Sequence, residues 1–162
     1  MRILIIEDEQ PAARRLIKLL LEIDHSNEIL EVLDSIEDAV AWLKIMPAPD
    51  LIFLDIELAD GKSFEIFKQI EIQSPVVFAT AYDQYAIDAF KVNGFDYLLK
   101  PIDPKLLSET IDRLILSKNQ ESRLDFSNLE DLIKVSKAKK EYKERFLIKV
   151  GEQLKYVPID RI

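Results

Sequence analysis

The sequence predicts an α/β fold, a five-stranded parallel sheet of order 2-1-3-4-5 with helices on both faces. Three observations predict it. Ile3–Ile6, Leu51–Leu54 and Val76–Thr80 are short, nearly unbroken apolar runs, as expected of strands buried on both faces. Segments with helical apolar spacing follow each run, giving five β/α units within residues 1–118. The second strand, residues 27–35, is interrupted by Glu28, Glu31 and Asp34, which assigns it to an edge. This order places a switch point between strands 1 and 3, where open α/β sheets bind ligands at the carboxyl ends of their strands.

The elements follow in order. After strand 1, Ala12, Leu16, Leu19, Leu20 and Ile23 mark the first helix, with Asp8 or Glu9 as its cap and Pro11 in its first turn. Ile36, Ala39, Val40 and Leu43 mark the second helix, which stops before Pro47. Residues 56–62 read as a loop with an Asp60-Gly61 turn, and Phe64, Ile66, Phe67 and Ile70 as the third helix. Asp83 caps a fourth helix holding Tyr85, Ala86, Ala89 and Phe90, closed by Asn93-Gly94. Residues 95–99 form strand 5. Asp103-Pro104 then opens the fifth helix, with Leu106, Leu107, Ile111, Leu114 and Ile115 on its apolar face.

Composition narrows the chemistry. There is no cysteine and only one histidine, His25, so thiol catalysis, disulfides and multi-histidine metal sites are excluded. No apolar stretch approaches the roughly 20 residues of a membrane span, and the first acids follow the N-terminal apolar run too closely for a signal peptide. A cytoplasmic protein without membrane association is expected. Residues 1–120 carry 12 basic and 22 acidic residues, net -10, whereas residues 121–162 carry 10 and 8, net +2. The change of sign marks a domain boundary, and the acidic part is not expected to bind nucleic acid by itself. Beyond it, Ser127-Asn128-Leu129-Glu130 is a capping box for a short linker helix. Residues 146–150 and 154–157, around Gly151-Glu152, read as a β-hairpin.

The predicted topology gathers Glu7 and Asp8 beside Asp55 at one sheet edge, with Thr80 and Lys100 delivered there by strands 4 and 5. Three carboxylates without a cation would repel. Oxygen-only donors suit Mg²⁺, and the backbone carbonyl of Glu57 is placed to add another ligand. A carboxylate nucleophile, a divalent cation, a lysine and a hydroxyl are what phosphoryl transfer to Asp55 requires.

The motifs Ile5-Ile6-Glu7-Asp8-Glu9, Phe53-Leu54-Asp55-Ile56, Ala79-Thr80-Ala81 and Asp96-Tyr97-Leu98-Leu99-Lys100-Pro101 together resemble a response-regulator receiver domain of two-component systems. The resemblance covers about residues 1–118 and implies the flavodoxin-like (βα)5 receiver fold. It implies that Asp55 is the phosphoacceptor, taking phosphate from a sensor histidine kinase. Glu7 and Asp8 match the metal-binding acidic pair, Thr80 the switch hydroxyl, Tyr97 the switch aromatic and Lys100 the phosphate-sensing lysine, before a typically cis Lys100-Pro101 bond. Glu57 and Tyr82 match positions that tune hydrolysis, Tyr82 by hindering the attacking water. Lys91, Asp96 and Arg113 are either surface charges or salt-bridge partners across a helix 4–strand 5–helix 5 dimer face. Two features depart from the family pattern. Glu7 stands where Asp is commoner, and the loop after Asp55 lacks the usual Met-Pro.

The stretch Ala81-Tyr82-Asp83-Gln84-Tyr85-Ala86-Ile87-Asp88-Ala89-Phe90 further resembles receivers of the LytTR class, whose output domain binds DNA. The implied organisation is a receiver at residues 1–118, a partly helical linker at 119–143 and the start of a truncated output domain at 144–162. The implied function is a phosphorylation-controlled transcriptional switch that dimerises, assists its own phosphorylation and dephosphorylation, and is not a turnover enzyme. The alternatives are a receiver-only interaction module and an aspartate-dependent phosphatase. The phosphatase would need a second Asp where Glu57 stands, and a flavodoxin-type cofactor site would place phosphate against Glu7-Asp8-Glu9.

Overall fold

The computed structural model of the chain describes residues 1–82, 84–85, 88–89, 92, 94–121, 145–150 and 153–158. It divides into two units, Met1–Ile115 and Leu116–Ile162. The first is built on β1 (Arg2–Ile6), β2 (Glu28–Leu33), β3 (Leu51–Leu54), β4 (Val76–Thr80) and β5 (Asp96–Leu99). They form one parallel sheet in the order β2-β1-β3-β4-β5, which is the predicted order. Helices α1 (Gln10–Ile23), α2 (Ile36–Ile45) and α3 (Phe64–Gln69) and a helix over Pro104–Glu121 accompany it.

Strand parity builds two cores, because successive side chains point to opposite faces. Ile3, Ile5, Leu51, Phe53, Val77 and Ala79 pack with Leu16 and Leu20 of α1 and with Leu107, Ile111 and Leu114. Leu4, Ile6, Ile52, Leu54, Val76 and Phe78 pack on the other face with Ile36, Ala39 and Val40 of α2 and Ile66 of α3. Every residue of β3 and β4 is buried, whereas β2 keeps Glu28 and Glu31 exposed at the edge. Each fully buried Leu or Ile contributes about 2 kcal/mol of burial free energy.

Two local expectations change. Glu9 occupies the N-cap position of α1, but its side chain makes no cap hydrogen bond. Asp8 turns its carboxylate toward Glu7 and Asp55 instead. Residues 56–62 are not a plain loop. Glu57–Leu58 and Gly61–Lys62 form a minimal antiparallel ladder, whose turn requires φ 138° at Gly61. This ladder also places Asp60 over the start of α2. Its carboxylate accepts from the Ile36 amide at 2.8 Å and the Glu37 amide at 3.2 Å. Ser35, the N-cap residue, accepts from the Asp38 amide at 3.2 Å. Two side chains, one local and one distant in sequence, thus satisfy the first turn.

Ala89 and Tyr85 join the α2–α3 side of the core. Asp83, Ala86, Phe90 and Asn93, also assigned to the fourth helix, lie outside the described residues, as does the linker helix expected after Ser127. In the second unit, Arg145–Val150 pairs antiparallel with Gln153–Pro158, with Phe146 opposite Val157 and Ile148 opposite Lys155. Among the described residues, no helix is long and apolar enough to cross a membrane.

Because Asp60 caps α2 from another element, Asp60→Ala is expected to lower stability by about 1 kcal/mol. Urea unfolding of the variant beside wild type measures this, and an unchanged midpoint would show that water replaces the cap without loss.

Candidate functional site

Parallel strands bring their carboxyl ends to one edge, so the residues that follow β1, β3 and β5 meet there, beside the last residue of β4. Backbone hydrogen bonds carry the sheet one residue further. The Asp55 amide donates to the Ile6 carbonyl at 2.9 Å, and the Lys100 amide to the Thr80 carbonyl at 2.8 Å. The Glu7 amide donates to the Leu33 carbonyl at 2.7 Å. Glu7, Asp55, Thr80 and Lys100 are therefore held by the sheet rather than by loops, which gives them fixed spacing.

Lys100 is the centre of the charge arrangement. Its Nζ donates to Asp55 Oδ2 at 2.5 Å and to Glu7 Oε1 at 2.8 Å, and lies 2.7 Å from Glu7 Oε2. Both carboxylates are almost wholly buried, Glu7 at 3% exposure and Asp55 at 7%. Burial raises the Glu7 carboxyl above its ordinary value, against the opposing pull of the Lys100 ammonium. Burial acts to lower the Lys100 ammonium, but its hydrogen bonds to Asp55 and Glu7 outweigh this and raise it. The lysine is therefore a permanent cation at neutral pH. The other Asp55 oxygen, Oδ1, accepts from the Ile56 amide at 2.6 Å and the Glu57 amide at 3.4 Å.

Glu7, Asp8 and Asp55 each present a carboxylate oxygen within 4.8 Å of the others. Oxygens on opposite sides of a Mg²⁺ ion stand roughly 4.2 Å apart, so a small contraction would bring these three into one coordination sphere. The donor set, all oxygen and mostly anionic, fits a hard divalent cation. Glu7, longer than the Asp it replaces in the family pattern, reaches Lys100 with both oxygens, and its Oε1 also accepts from the Glu9 amide at 3.3 Å.

Of the other residues singled out in the sequence, Thr80 ends β4 at the edge where Lys100 follows β5, whereas Asp96 begins β5 at its far end. Thr80 is fully buried, and its Oγ1 has no hydrogen-bond partner among the described residues. An orphan hydroxyl of this kind costs about 1–3 kcal/mol, which a ligand that accepts its proton would recover. Tyr97 is half-buried against the α2–α3 side of the core, with its hydroxyl donating to the Tyr82 carbonyl. Tyr82 itself is 48% exposed. Asp96 accepts from Thr110 and from the Arg113 guanidinium of the same chain. Lys91 lies outside the described residues. The Lys100-Pro101 peptide bond is cis, as the family resemblance implies.

Two residues beside the site escape sequence reasoning. The Tyr85 hydroxyl donates to Glu57 Oε1 at 3.0 Å and accepts from Lys62 Nζ at 2.8 Å. In the sequence Tyr85 is a fourth-helix residue within the LytTR-like stretch, and Lys62 is the last residue of the loop after Asp55. Their contact depends on the ladder after Asp55 folding toward the segment after β4, and no local pattern encodes that.

The response regulator receiver domain family matches residues 3–112 of the chain. The sensory transduction protein LytT of Bacillus cereus is 39% identical over 128 residues, covering 77% of this chain and 50% of that protein. The transcriptional regulatory protein BtsR of Salmonella typhi is 38% identical over 133 residues, covering 80% of this chain and 53% of that protein. The chain thus spans about half the length of the curated relatives it matches. Among solved structures, the response regulatory domain of the protein mrkE from Klebsiella pneumoniae is similar with a TM-score of 0.66 at 28% identity, covering 74% of this chain and 99% of that one. A parallel sheet in the order β2-β1-β3-β4-β5, its acidic cluster and lysine at one edge, and a family match over most of its length agree: the chain belongs to the response regulator receiver domain family of two-component systems.

Proposed function

We propose that the chain is a phosphorylation-controlled switch in which Asp55 accepts a phosphoryl group from a phosphohistidine of a sensor histidine kinase. The observation that carries this reading is the convergence of Asp55 with Lys100 beside the orphan hydroxyl of Thr80. An Asp55 oxygen attacks phosphorus in line, the P–N bond of the donor breaks, and the imidazole leaves with the bonding pair. Lys100 moves its ammonium from the Asp55 carboxylate to a phosphoryl oxygen. Thr80 donates its unused proton to another, and the amides of Ile56 and Glu57 lie beside Asp55 Oδ1 to assist. Glu7, Asp8, Asp55 and the Glu57 carbonyl would hold Mg²⁺, which when bound supplies positive charge against the phosphoryl oxygens.

The same reading gives Thr80 and Tyr97 the role of a switch. Withdrawal of Thr80 toward the phosphoryl group opens space behind it, and the Tyr97 ring, now tied at the Tyr82 carbonyl, turns inward to fill it. The face carrying Asp96 and Arg113, to which the sequence reading also assigns Lys91, then pairs with a second copy. The ion pair between Asp96 and Arg113 is available for exchange across that contact. Residues 1–118 act as the receiver, 119–143 as the linker and 144–162 as the opening of an output domain that binds DNA in the cytoplasm. The resemblance to the transcriptional regulatory protein BtsR supports a transcriptional output. Asp55 gains and loses phosphate through this machinery, with Tyr82 shielding it from water, and no small substrate is turned over.

Incubation with Mg²⁺ and beryllofluoride or acetyl phosphate tests the reading. Wild type is expected to take up one group per chain and shift toward a dimer on sizing, and Asp55→Ala to do neither. Unmodified wild-type protein under these conditions would refute the reading.

Lys100→Met leaves two buried carboxylates without their cation and is expected to cost about 3 kcal/mol at neutral pH in the absence of divalent ions. The Glu7 carboxyl, already raised, rises further in the variant. A raised carboxyl stabilises the fold fully below its ordinary value of 4.5 and loses that contribution as pH climbs through the folded value. The deficit relative to wild type should therefore shrink toward acid, as read by urea unfolding at neutral pH and at successively lower pH toward the ordinary value of 4.5.

A further inference from the structure

Glu57 faces two ways. Its amide lies at 3.4 Å from Asp55 Oδ1, while its carboxylate meets a tyrosine and a lysine. Tyr85 Oη donates to Glu57 Oε1 at 3.0 Å. Lys62 Nζ donates to the same hydroxyl at 2.8 Å and stands 4.0 Å from the same Glu57 oxygen. It also lies 4.3 Å from the centre of the Tyr85 ring, the geometry of a cation–π contact. The ring is itself held, at 6.4 Å from Phe64 and 6.0 Å from Tyr82, both edge-on. One hydroxyl thus both accepts and donates, joining the ladder after Asp55 to the segment after β4.

An exposed Lys–Glu pair at 4.0 Å orients little by itself. The hydroxyl between them supplies the direction, because its single proton is committed to Glu57 while its lone pair is committed to Lys62. Without the clasp, the Glu57 carboxylate is released two residues from Asp55, beside an anionic cluster that Lys100 holds.

We propose that Tyr85 is a positioning residue that holds the Glu57 carboxylate away from Asp55 and so lengthens the life of its phosphoryl group. This rests on the reading of Asp55 as phosphoacceptor. In the loss of the group, water oxygen attacks phosphorus, and the P–O bond to Asp55 breaks. The carboxylate leaves with the bonding pair, and both water protons end on inorganic phosphate. A released Glu57 carboxylate accepts a hydrogen bond from that water and orients it for attack. Clasped to Tyr85 and Lys62, it does not.

The full chain is loaded with acetyl phosphate and Mg²⁺, freed of donor, and followed for decay of the phosphorylated form. Wild type, Tyr85→Phe, Lys62→Met, Glu57→Gln and the Tyr85→Phe/Glu57→Gln pair are compared. Tyr85→Phe keeps the ring and removes only the clasping oxygen. It is expected to shorten the lifetime about fivefold, the rate equivalent of one hydrogen bond of about 1 kcal/mol. Lys62→Met should act in the same direction. In the Glu57→Gln background the tyrosine substitution should change nothing, since no carboxylate remains to release. A merely structural role for Tyr85 would accelerate decay equally in both backgrounds, and that result overturns the inference. So does a Tyr85→Phe lifetime equal to that of wild type. If wild type takes up no phosphate at all, the reading of Asp55 fails and the inference falls with it; uptake by wild type with an unaltered Tyr85→Phe lifetime removes the inference alone.

Discussion

The ion pair of Lys100 with Asp55 and Glu7 is the constraint around which the sheet edge is arranged. Two nearly buried carboxylates stand within hydrogen-bond reach of one ammonium. Removing the lysine would leave two carboxylates uncompensated in a poorly solvated place, which costs more than the pair gains. The lysine therefore keeps the acidic cluster compatible with folding before any divalent ion is bound. It also fixes the distance between the ends of β3 and β5, since Asp55 and Lys100 follow directly on those strands.

The apolar strands make this possible. β3 and β4 are buried on both faces, so their ends cannot shift without opening two cores at once. Rigid strands deliver the acids and the lysine, while the turns beyond them deliver adjustable groups such as Glu57 and Tyr82. Thr80 stands between these classes. It ends a buried strand and its hydroxyl has no partner among the described residues, so a ligand that accepted its proton would recover part of the cost of the fold.

Much of the fold was legible in the sequence because its signals are local. Unbroken apolar runs revealed the buried strands, acids at Glu28 and Glu31 revealed the edge, and Asp103-Pro104 revealed a helix start, where the Asp103 carboxylate does accept from the Lys105 amide at 2.8 Å. The convergence of Glu7, Asp8, Asp55, Thr80 and Lys100 followed from topology alone, since parallel strands share an edge. The first helix shows where such reasoning runs short. Capping preference assigned an acid to its N-terminus, where Glu9 stands without a side-chain cap bond, while the Asp8 carboxylate lies with those of Glu7 and Asp55.

The sequence by itself determined the sheet order, the edge at which the acids and the lysine gather and the residues that reach it, because periodicity and strand direction are properties of the chain. Only the tertiary structure decided how those residues are used. It showed Lys100 shared between Asp55 and Glu7, Asp60 capping a helix 24 residues earlier in the chain, and Tyr85 clasping Glu57 to Lys62. Each of these contacts joins residues distant in sequence through side chains of ordinary type. Their pairing is set by distances across the folded sheet edge, which no local pattern of residues records.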